Sequence, residues 1–277
     1  MIKKILLGLG GTPFTGIAIQ RAVELANLHE STLTAVTVLD RERLEKVGPV
    51  PVGGNAYAQK MREKRIKVTE ESIQSAIASF EKKCTENNVT YTIERETGDP
   101  FDLMVAHSRY HDLTIFGLKS LFDFGLTPEP EDALARIIAE GVRPILANSA
   151  QYREVKRVLV AYSGSMESSN AMQRFVQLRV WPDVHLTVLH IRKSKSIEDA
   201  QELVTDAADY CGKHGFSVDK AIVKGSPRKT LLPYAQENNY DLIVMGNSIR
   251  NIFVRSIMGD TVLHTIQNAD RPIFISQ

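Results

Sequence analysis

The sequence predicts an α/β protein of two tandem domains, each a five-stranded parallel sheet with helices on both faces. Three observations lead to this fold class. The 277 residues exceed one ordinary small domain, and 43% apolar with 24% charged residues is typical of globular chains. Short apolar runs of strand length alternate with amphipathic helical patterns, which favours parallel sheets. The whole series then occurs a second time along the chain.

An internal duplication is visible as segments that match in the same order. The offset between matching segments is 153 residues up to the second apolar run and 127 to 129 residues after it. The matches are 3–12 with 156–165, 33–38 with 186–191, Cys84 with Cys211, Gly98-Asp99-Pro100 with Gly225-Ser226-Pro227, 112–117 with 241–246, and 143–146 with 271–274. The repeat therefore predicts one domain of residues 1–150 and another of residues 151–277, joined by a short polar segment.

The drop in offset from 153 to 127 residues predicts an insertion in the first half, around residues 39–71. Its Pro/Gly-rich stretch at residues 48–54 is typical of a loop, and the charges at residues 41–65 are typical of a solvated helix face. A lid that docks a partner is the alternative, because long loops in compact domains often carry function.

Each half reads as five strands separated by helices. The apolar N-terminus, residues 2–9, is too short for the apolar region of a signal peptide, so we interpret it as a first buried strand. Thr12-Pro13 is typical of a helix start. The later strands of the first half contain Val36, Ile93, Ile115 and Ile145. One helical face carries Ile66, Ile73, Ile77, Phe80 and Cys84. Right-handed crossovers make each sheet doubly wound.

Composition and charge exclude several classes of function. The 34 Lys and Arg balance 33 Asp and Glu, so a net charge of +1 gives no field that attracts nucleic acid. No stretch approaches the about 18 apolar residues of a membrane-spanning helix. Cys84 and Cys211 occupy matching positions and predict buried packing, with redox sensing as the alternative. This cysteine usage fits a cytoplasmic location.

Ligands of doubly wound sheets bind beyond the carboxyl ends of the strands. In the second half these ends follow Tyr162, Ile191 and Met245. Residues 241–261 are the most informative segment, because an apolar strand ends at Gly246 and a second glycine, Gly259, precedes the last helix. Glycines at such places let backbone N–H groups approach a phosphate.

These residues resemble the universal stress protein family, over nearly the whole chain and in both halves. The resemblance is carried by Asp-Leu-Ile-Val-Met-Gly at 241–246, by Met258-Gly259 and by Arg-Pro-Ile-Phe-Ile at 271–275. It implies tandem flavodoxin/Rossmann-like domains, each with a five-stranded parallel sheet of flavodoxin-like order. Many members bind ATP through Gly-x2-Gly-x9-Gly-Ser/Thr and an Asp after the first strand. Others lack the motif and bind no nucleotide.

The second half keeps part of this nucleotide motif. Gly246 and Gly259 match its first and third glycines, while Ile249 takes the place of the second. Asp260 replaces the final Ser/Thr, and Ser163 replaces the Asp after the first strand. The first half departs further, because it keeps the first motif glycine but has substitutions at the other positions. The first-half residues are Gly117, Ser120, Glu131-Asp132 and, in place of the strand-one Asp, Gly10.

The resemblance implies a cytoplasmic stress-response or signalling protein whose second domain binds ATP or AMP. The nucleotide-binding residues that it implies are Ser163, Gly164, Ser165, Ile191, Met245, Gly246, Ser248, Arg250, Gly259, Asp260 and Thr261. Gly246, Ser248, Gly259 and Thr261 would contact phosphate and ribose. Ser163 and the backbone near Ile191 would face the adenosine. The alternative is an interaction scaffold with two degenerate pockets and no nucleotide.

No set of residues supports catalysis or a resident metal. There is no persuasive Ser/His/Asp set or pair of carboxylates, so slow ATP hydrolysis is the most that a bound nucleotide would allow. Ser163-Gly164-Ser165 is also similar to the pyrophosphate-binding loop of ATP pyrophosphatases, but a capped turn that starts a helix is the favoured interpretation. His107 and His111 lie four apart without a third ligand, which favours ordinary surface histidines.

The last strands of the two halves predict how the halves meet. Members of this family commonly pair their final strands as dimers, and here those strands are residues 144–148 and 272–276. An unpaired strand of this kind would be an exposed sheet edge. We therefore expect the two strands to lie antiparallel within the chain, as a pseudo-dimer, with further oligomers and an unknown protein partner left open.

Overall fold

A computed structural model describes residues 1–10, 14–45, 54–118, 137–138, 142, 144–193, 196–247 and 260–276. Within these ranges the chain forms strands and helices in the alternating order that the sequence predicts. The boundary predicted after residue 150 falls in the segment between the fifth and sixth strands.

Among its described residues, the first half contains five strands, four helices described over their full length and a helical segment at residues 137–138. The strands are β1 (Lys4–Gly8), β2 (Thr32–Leu39), β3 (Tyr91–Thr97), β4 (Leu113–Gly117) and β5 (Ile145–Asn148). The helices are α1 (Thr15–His29), α2 (Arg41–Glu45), α3 (Asn55–Glu86) and α4 (Pro100–Ser108). The apolar N-terminus is the buried strand expected. Helix α1 begins at Thr15 with Phe14 as an N-cap that makes no side-chain cap bond, and Thr12 and Pro13 lie outside the described residues.

The second half follows the alternation without interruption. Its strands are β6 (Arg157–Ala161), β7 (His185–Arg192), β8 (Ser217–Lys224), β9 (Leu242–Gly246) and β10 (Ile273–Ser276). Its described helices are α5 (Met166–Leu178), α6 (Ile197–Lys213), α7 (Pro227–Glu237) and α8 (Asp260–Asn268). Helix α3 has 32 residues where α6 has 17, so the predicted insertion forms α2 and lengthens the following helix.

The strands form one ten-stranded sheet in the order β3-β2-β1-β4-β5-β10-β9-β6-β7-β8. Within each half the neighbours are parallel, as expected. The order in each half is therefore 3-2-1-4-5. This is the Rossmann arrangement and corrects the flavodoxin-like order, which would be 2-1-3-4-5. The difference moves the first strand of each half to the centre of its sheet, with the second and third strands on one side.

The two halves join through their final strands, which confirms the predicted pairing. β5 and β10 are antiparallel, and Phe274 lies opposite Leu146, between the pairs of Ile273 with Ala147 and Ile275 with Ile145. Side chains on both strands are buried. Alternating residues point to opposite faces, so this seam contributes to the core on each side of the sheet.

An apolar core covers each face of the sheet. One core contains Phe80 of α3, Phe175 of α5 and Phe274 of β10, and the rings of Phe175 and Phe274 meet edge to face at 5.3 Å. The other core contains Met104 of α4 and Ile266 of α8. Both cores run across the seam without a break between the halves.

Both cysteines belong to the first of these cores, as the sequence predicts. Cys84 and Cys211 are fully buried and free. Burial raises the pKa of each thiol to about 12. A thiol of that pKa holds its proton at neutral pH, which argues against redox sensing.

A buried arginine links the two halves beside the seam. Arg21 of α1 is 1% exposed and donates two hydrogen bonds to Glu24, at 2.9 and 2.7 Å, and one to the carbonyl of Arg153. Its guanidinium lies over the rings of Tyr152 and Trp181, at 4.7 and 5.2 Å. Glu24 also accepts hydrogen bonds from the Tyr152 hydroxyl and from the Trp181 Nε1. One carboxylate thus joins α1, the connecting segment and the second half.

His29, at the end of α1, makes a second contact between the halves. Its Nε2 donates to the carbonyl oxygen of Val180 at 3.1 Å. Burial is the main cause that lowers the pKa of His29 from its ordinary value. The neutral ring is therefore the form that the folded chain holds.

We predict that Glu24→Ala destabilises the chain by about 3–5 kcal/mol, because it leaves the buried Arg21 charge without its carboxylate. Chemical denaturation measures the change. Glu81→Ala, on the exposed face of α3, is the control and is expected to cost less than about 0.5 kcal/mol. Equal effects of the two substitutions would contradict the role assigned to Glu24.

We also predict that stability falls as pH drops from about 7 to 5, in part through His29. Its folded-state pKa is depressed, so the unfolded chain binds the proton first and stability is lost below the unfolded value of about 6.5. His29→Gln keeps a donor for Val180 but does not titrate. Urea midpoints at the two pH values are expected to differ less in this variant than in the wild type, and an unchanged difference would contradict the prediction.

Candidate functional site

A cavity of about 650 Å³ lies beyond the carboxyl ends of the second half's strands. It opens where β6 has β7 on one side and β9 on the other. Chain crossovers leave β6 in both directions there, which is where ligands of doubly wound sheets bind. The cavity is lined by Ala161, Tyr162, Ser163, Ser165, Glu167, Ser168, Leu189, Ile191, Lys193, Ser226, Pro227, Arg228, Leu231, Met245, Gly246, Asp260, Thr261 and Val262.

Serines build the wall between β6 and α5. Ser165 is the N-cap of α5 and accepts a hydrogen bond from the Ser168 backbone N–H at 3.3 Å. The Ser163 hydroxyl lies 3.2 Å from the Ser168 hydroxyl, which in turn donates to the Ser165 carbonyl. Gly164 has a φ of +80°, which lets the chain turn between these serines. This is the capped turn that the sequence favours.

Gly246 holds the end of β9 against the start of α5. A Cβ built on this glycine would overlap the backbone of Glu167 and would lie 2.6 Å from the Ser168 nitrogen. The glycine therefore permits a close backbone approach, which closes the pocket floor between β9 and α5.

The structure brings together seven of the residues that the resemblance implies. Ser163, Ser165, Ile191, Met245, Gly246, Asp260 and Thr261 line the cavity. Gly164 lies between two lining serines but is itself exposed and outside the lining. Ser248, Arg250 and Gly259 lie outside the described residues, as do Ile249 of the second-half motif and Ser120, Glu131 and Asp132 of the first.

The sequence analysis identified Asp260 as a site residue but not the other charged residues of the lining, which are Glu167, Lys193 and Arg228. Glu167 lies in the first turn of α5, and hydrogen bonds from its own backbone N–H and from Ser165 lower the pKa of its carboxyl. Lys193 follows β7, and Arg228 lies in the first turn of α7. The signal that would have found them is position: Glu167 follows the carboxyl end of β6, Lys193 follows that of its neighbour β7, and Arg228 follows that of β8, one strand further out.

Metal chemistry finds no support in the part of the chain that the structure describes, because no group of three or more His, Cys, Asp and Glu there is placed to hold an ion. The sequence favoured His111 as an ordinary surface histidine, but the structure shows that it is half-buried. Its Nδ1 donates to the His107 carbonyl at 2.7 Å, and burial is the main cause that lowers its pKa. His107 Nε2 lies 3.3 Å from Glu96.

Comparison with known proteins gives the same family in both halves. The model of the universal stress protein family matches residues 1–121 and residues 154–277. A universal stress protein of Synechocystis sp. is 22% identical over 140 residues, which are 50% of this chain and 49% of that relative. The match therefore spans about half the length of this curated relative. Among the described helices, none is long and apolar enough to cross a membrane.

Two solved structures that match this chain over nearly all of its residues share its fold. A universal stress protein from Archaeoglobus fulgidus DSM 4304 is 18% identical, with a TM-score of 0.64 over 99% of this chain and 95% of the other. A putative universal stress protein from Pseudomonas aeruginosa UCBPP-PA14 is 15% identical, with a TM-score of 0.59 over 99% of this chain and 92% of the other. At these identities the similarity establishes the fold.

We predict that Gly246→Ala destabilises the chain by about 1–3 kcal/mol, because the added Cβ overlaps backbone and not a mobile side chain. Gly212→Ala, in α6, is the matched control. A Cβ there meets nothing within 4 Å, so alanine is expected to stabilise by about 0.5–1 kcal/mol. Denaturation midpoints measure both, and a Gly246→Ala variant as stable as wild type would exclude the close approach.

Proposed function

This chain belongs to the universal stress protein family, and we propose that its second half binds an adenine nucleotide, ATP or AMP, in the cavity between β6, β7 and β9. The function that follows is nucleotide-dependent action in a stress response or in signalling, from the cytoplasm. The observation that carries the proposal is the cavity itself, with its place at the centre of the second half's sheet.

The size and lining of the cavity suit a nucleotide. Its volume of about 650 Å³ lies within the about 300–1,000 Å³ typical of small-molecule sites. Apolar side chains offer a wall for a base, namely Ala161, Leu189, Ile191, Leu231 and Met245. Hydroxyls of Ser163, Ser165 and Thr261 line the same space and offer partners for a ribose. An apolar wall with a few placed polar groups is the usual design of such sites.

An interaction scaffold without a nucleotide is the second candidate. Two observations favour it. Gly246, the first glycine of the family motif, is packed against the backbone of Glu167. Asp260, in place of the motif's Ser/Thr, brings a carboxylate to the start of α8, where it disfavours a phosphate. Both features make the end of the cavity near Gly246 and Asp260 less suited to bind a phosphate.

We predict that AMP or ATP co-purifies with the protein and raises its melting temperature when added. Denatured-protein extracts run on chromatography identify the bound compound, and calorimetry gives the affinity. Ala161→Leu fills the apolar wall and is expected to weaken binding by about tenfold or more. Ala56→Leu, exposed in the first turn of α3, is the control. Protein that is free of nucleotide, with no thermal shift in AMP or ATP, would instead support the scaffold.

A further inference from the structure

The charged residues of the cavity are divided between its two ends. Glu167 and Asp260 follow β6 and β9, and form what we call the acidic end. Lys193, Ser226 and Arg228 follow β7 and β8, and form the basic end. The strand order β9-β6-β7-β8 places these ends on opposite sides of the cavity, with two strand spacings, roughly 10 Å, between the middle of one end and the middle of the other.

The residues of the basic end lie close together in the backbone. Arg192 and Lys224 are partners at the ends of the parallel strands β7 and β8. The Gly225 N–H donates to the Arg192 carbonyl at 3.1 Å, so Lys193 lies next to the turn that leads into Ser226. Lys193 and Arg228 are exposed, and neither forms an ion pair with another described residue. Their charges are therefore available to a ligand.

The described side chains of the acidic end disfavour an anionic group. The lowered pKa of the Glu167 carboxyl keeps it charged at neutral pH, and its hydrogen bond from its own N–H occupies part of the start of α5. Asp260 adds a second carboxylate at the first residue of α8. Two negative charges beside the same space disfavour a phosphate there.

The first half supplies an internal comparison for the basic end. At the repeat offsets, Lys193 corresponds to Asp40 and Ser226 corresponds to Asp99. Asp40 accepts a hydrogen bond from the Arg43 N–H, and Asp99 caps α4 by accepting from Phe101 and Asp102. The first half therefore has carboxylates at these two positions.

In the second half the charge at this place is reversed. A cation replaces Asp40, and a hydroxyl that makes no cap bond replaces Asp99. Arg228 adds a further cation where the first half has Phe101. In both halves these positions lie at the end of the second strand and at the start of the helix after the third. Asp40 also leads into α2, which the insertion forms, so its surroundings differ from those of Lys193. The change replaces two carboxylates, which disfavour an anion, by a cation and a hydroxyl, which can bind one.

We propose that the basic end binds the phosphate of a nucleoside phosphate, with Lys193 and Arg228 as its cationic partners and the Ser226 hydroxyl as a donor. This inference rests on the nucleotide binding proposed above and assigns the orientation of the ligand. The phosphate points toward β7 and β8, away from Gly246 and Asp260, where the family resemblance would place it. The base and ribose occupy the apolar wall between the two ends.

The test replaces two residues of the basic end, Lys193 and Ser226, with their counterparts from the first half. Lys193→Asp combined with Ser226→Asp keeps a cap for α7, as Asp99 caps α4, and puts two carboxylates beside Arg228 where a phosphate would bind. Calorimetry with AMP and with adenosine separates the phosphate contribution from that of the base and ribose. We expect the affinity for AMP to fall by about tenfold or more, and the affinity for adenosine to change by less than about threefold.

Lys229→Asp is the matched control for charge reversal. Lys229 is exposed next to Arg228 but does not line the cavity, and its first-half counterpart is Asp102. This variant is expected to bind AMP within about threefold of the wild type. Urea denaturation of every variant checks that the fold is retained.

Two results would overturn the inference in different ways. If AMP binds the double variant as well as it binds the wild type, while Asp260→Ser gains about tenfold, the phosphate lies at the acidic end and only the orientation is wrong. If the wild type binds neither adenosine nor AMP, the proposed function fails and the orientation falls with it. A selective loss of AMP affinity in the double variant supports both.

Discussion

The antiparallel pairing of β5 with β10 is the constraint on which the rest of the architecture depends. Each half alone would end its sheet at a short apolar strand with unpaired backbone groups. The pairing satisfies both edges at once and lets the two apolar cores continue across the seam. Because the pair is antiparallel, the parallel strands of the halves run in opposite directions. The carboxyl ends of their strands therefore open at opposite edges of one sheet.

Helix α5 connects the cavity to this junction. Its first turn supplies Ser165 and Glu167 to the cavity wall, and Val180 and Trp181 follow its last turn. Those two residues accept from His29 and donate to Glu24 of the first half. The wall of the second half's pocket is consequently supported by α1 of the first half. Side-chain hydrogen bonds made by α1 therefore join the halves in addition to the shared sheet.

Much of this fold was readable from the sequence because it rests on local patterns that occur twice. The alternation of strands and helices and the buried cysteines follow from apolar periodicity and the repeat offsets. The pairing of the last strands was expected from the family resemblance and from the cost of an exposed sheet edge. The strand order differs from the one that the resemblance implied, and periodicity could not correct it because it does not record which strands are neighbours. The Arg21–Glu24 contacts were not predicted, since charged residues on a helix normally indicate solvent.

Part of the candidate site could also be predicted, because some of its residues belong to local sequence patterns. Glycines and serines at strand ends pointed to the cavity, and seven of the implied residues line it. Lys193 and Arg228 carry no local signal, because isolated cations after a strand are usually solvated surface. Their place became apparent only once β7 and β8 were seen side by side at the cavity's edge. Direct comparison of the matched loops, Asp40 with Lys193 and Asp99 with Ser226, would have drawn attention to them.

The covalent joining of the halves also changes what mutation can do. In a dimer of identical subunits, any substitution appears on both sides of the symmetry axis, so a change that suits one pocket is imposed on the other. Here the two copies are separate stretches of one chain. Asp99 can continue to cap its helix while Ser226 at the matching position leaves its own uncapped. A tandem chain of this kind can specialise one half and use the other as a support, a division of labour that a symmetric dimer has no means to encode.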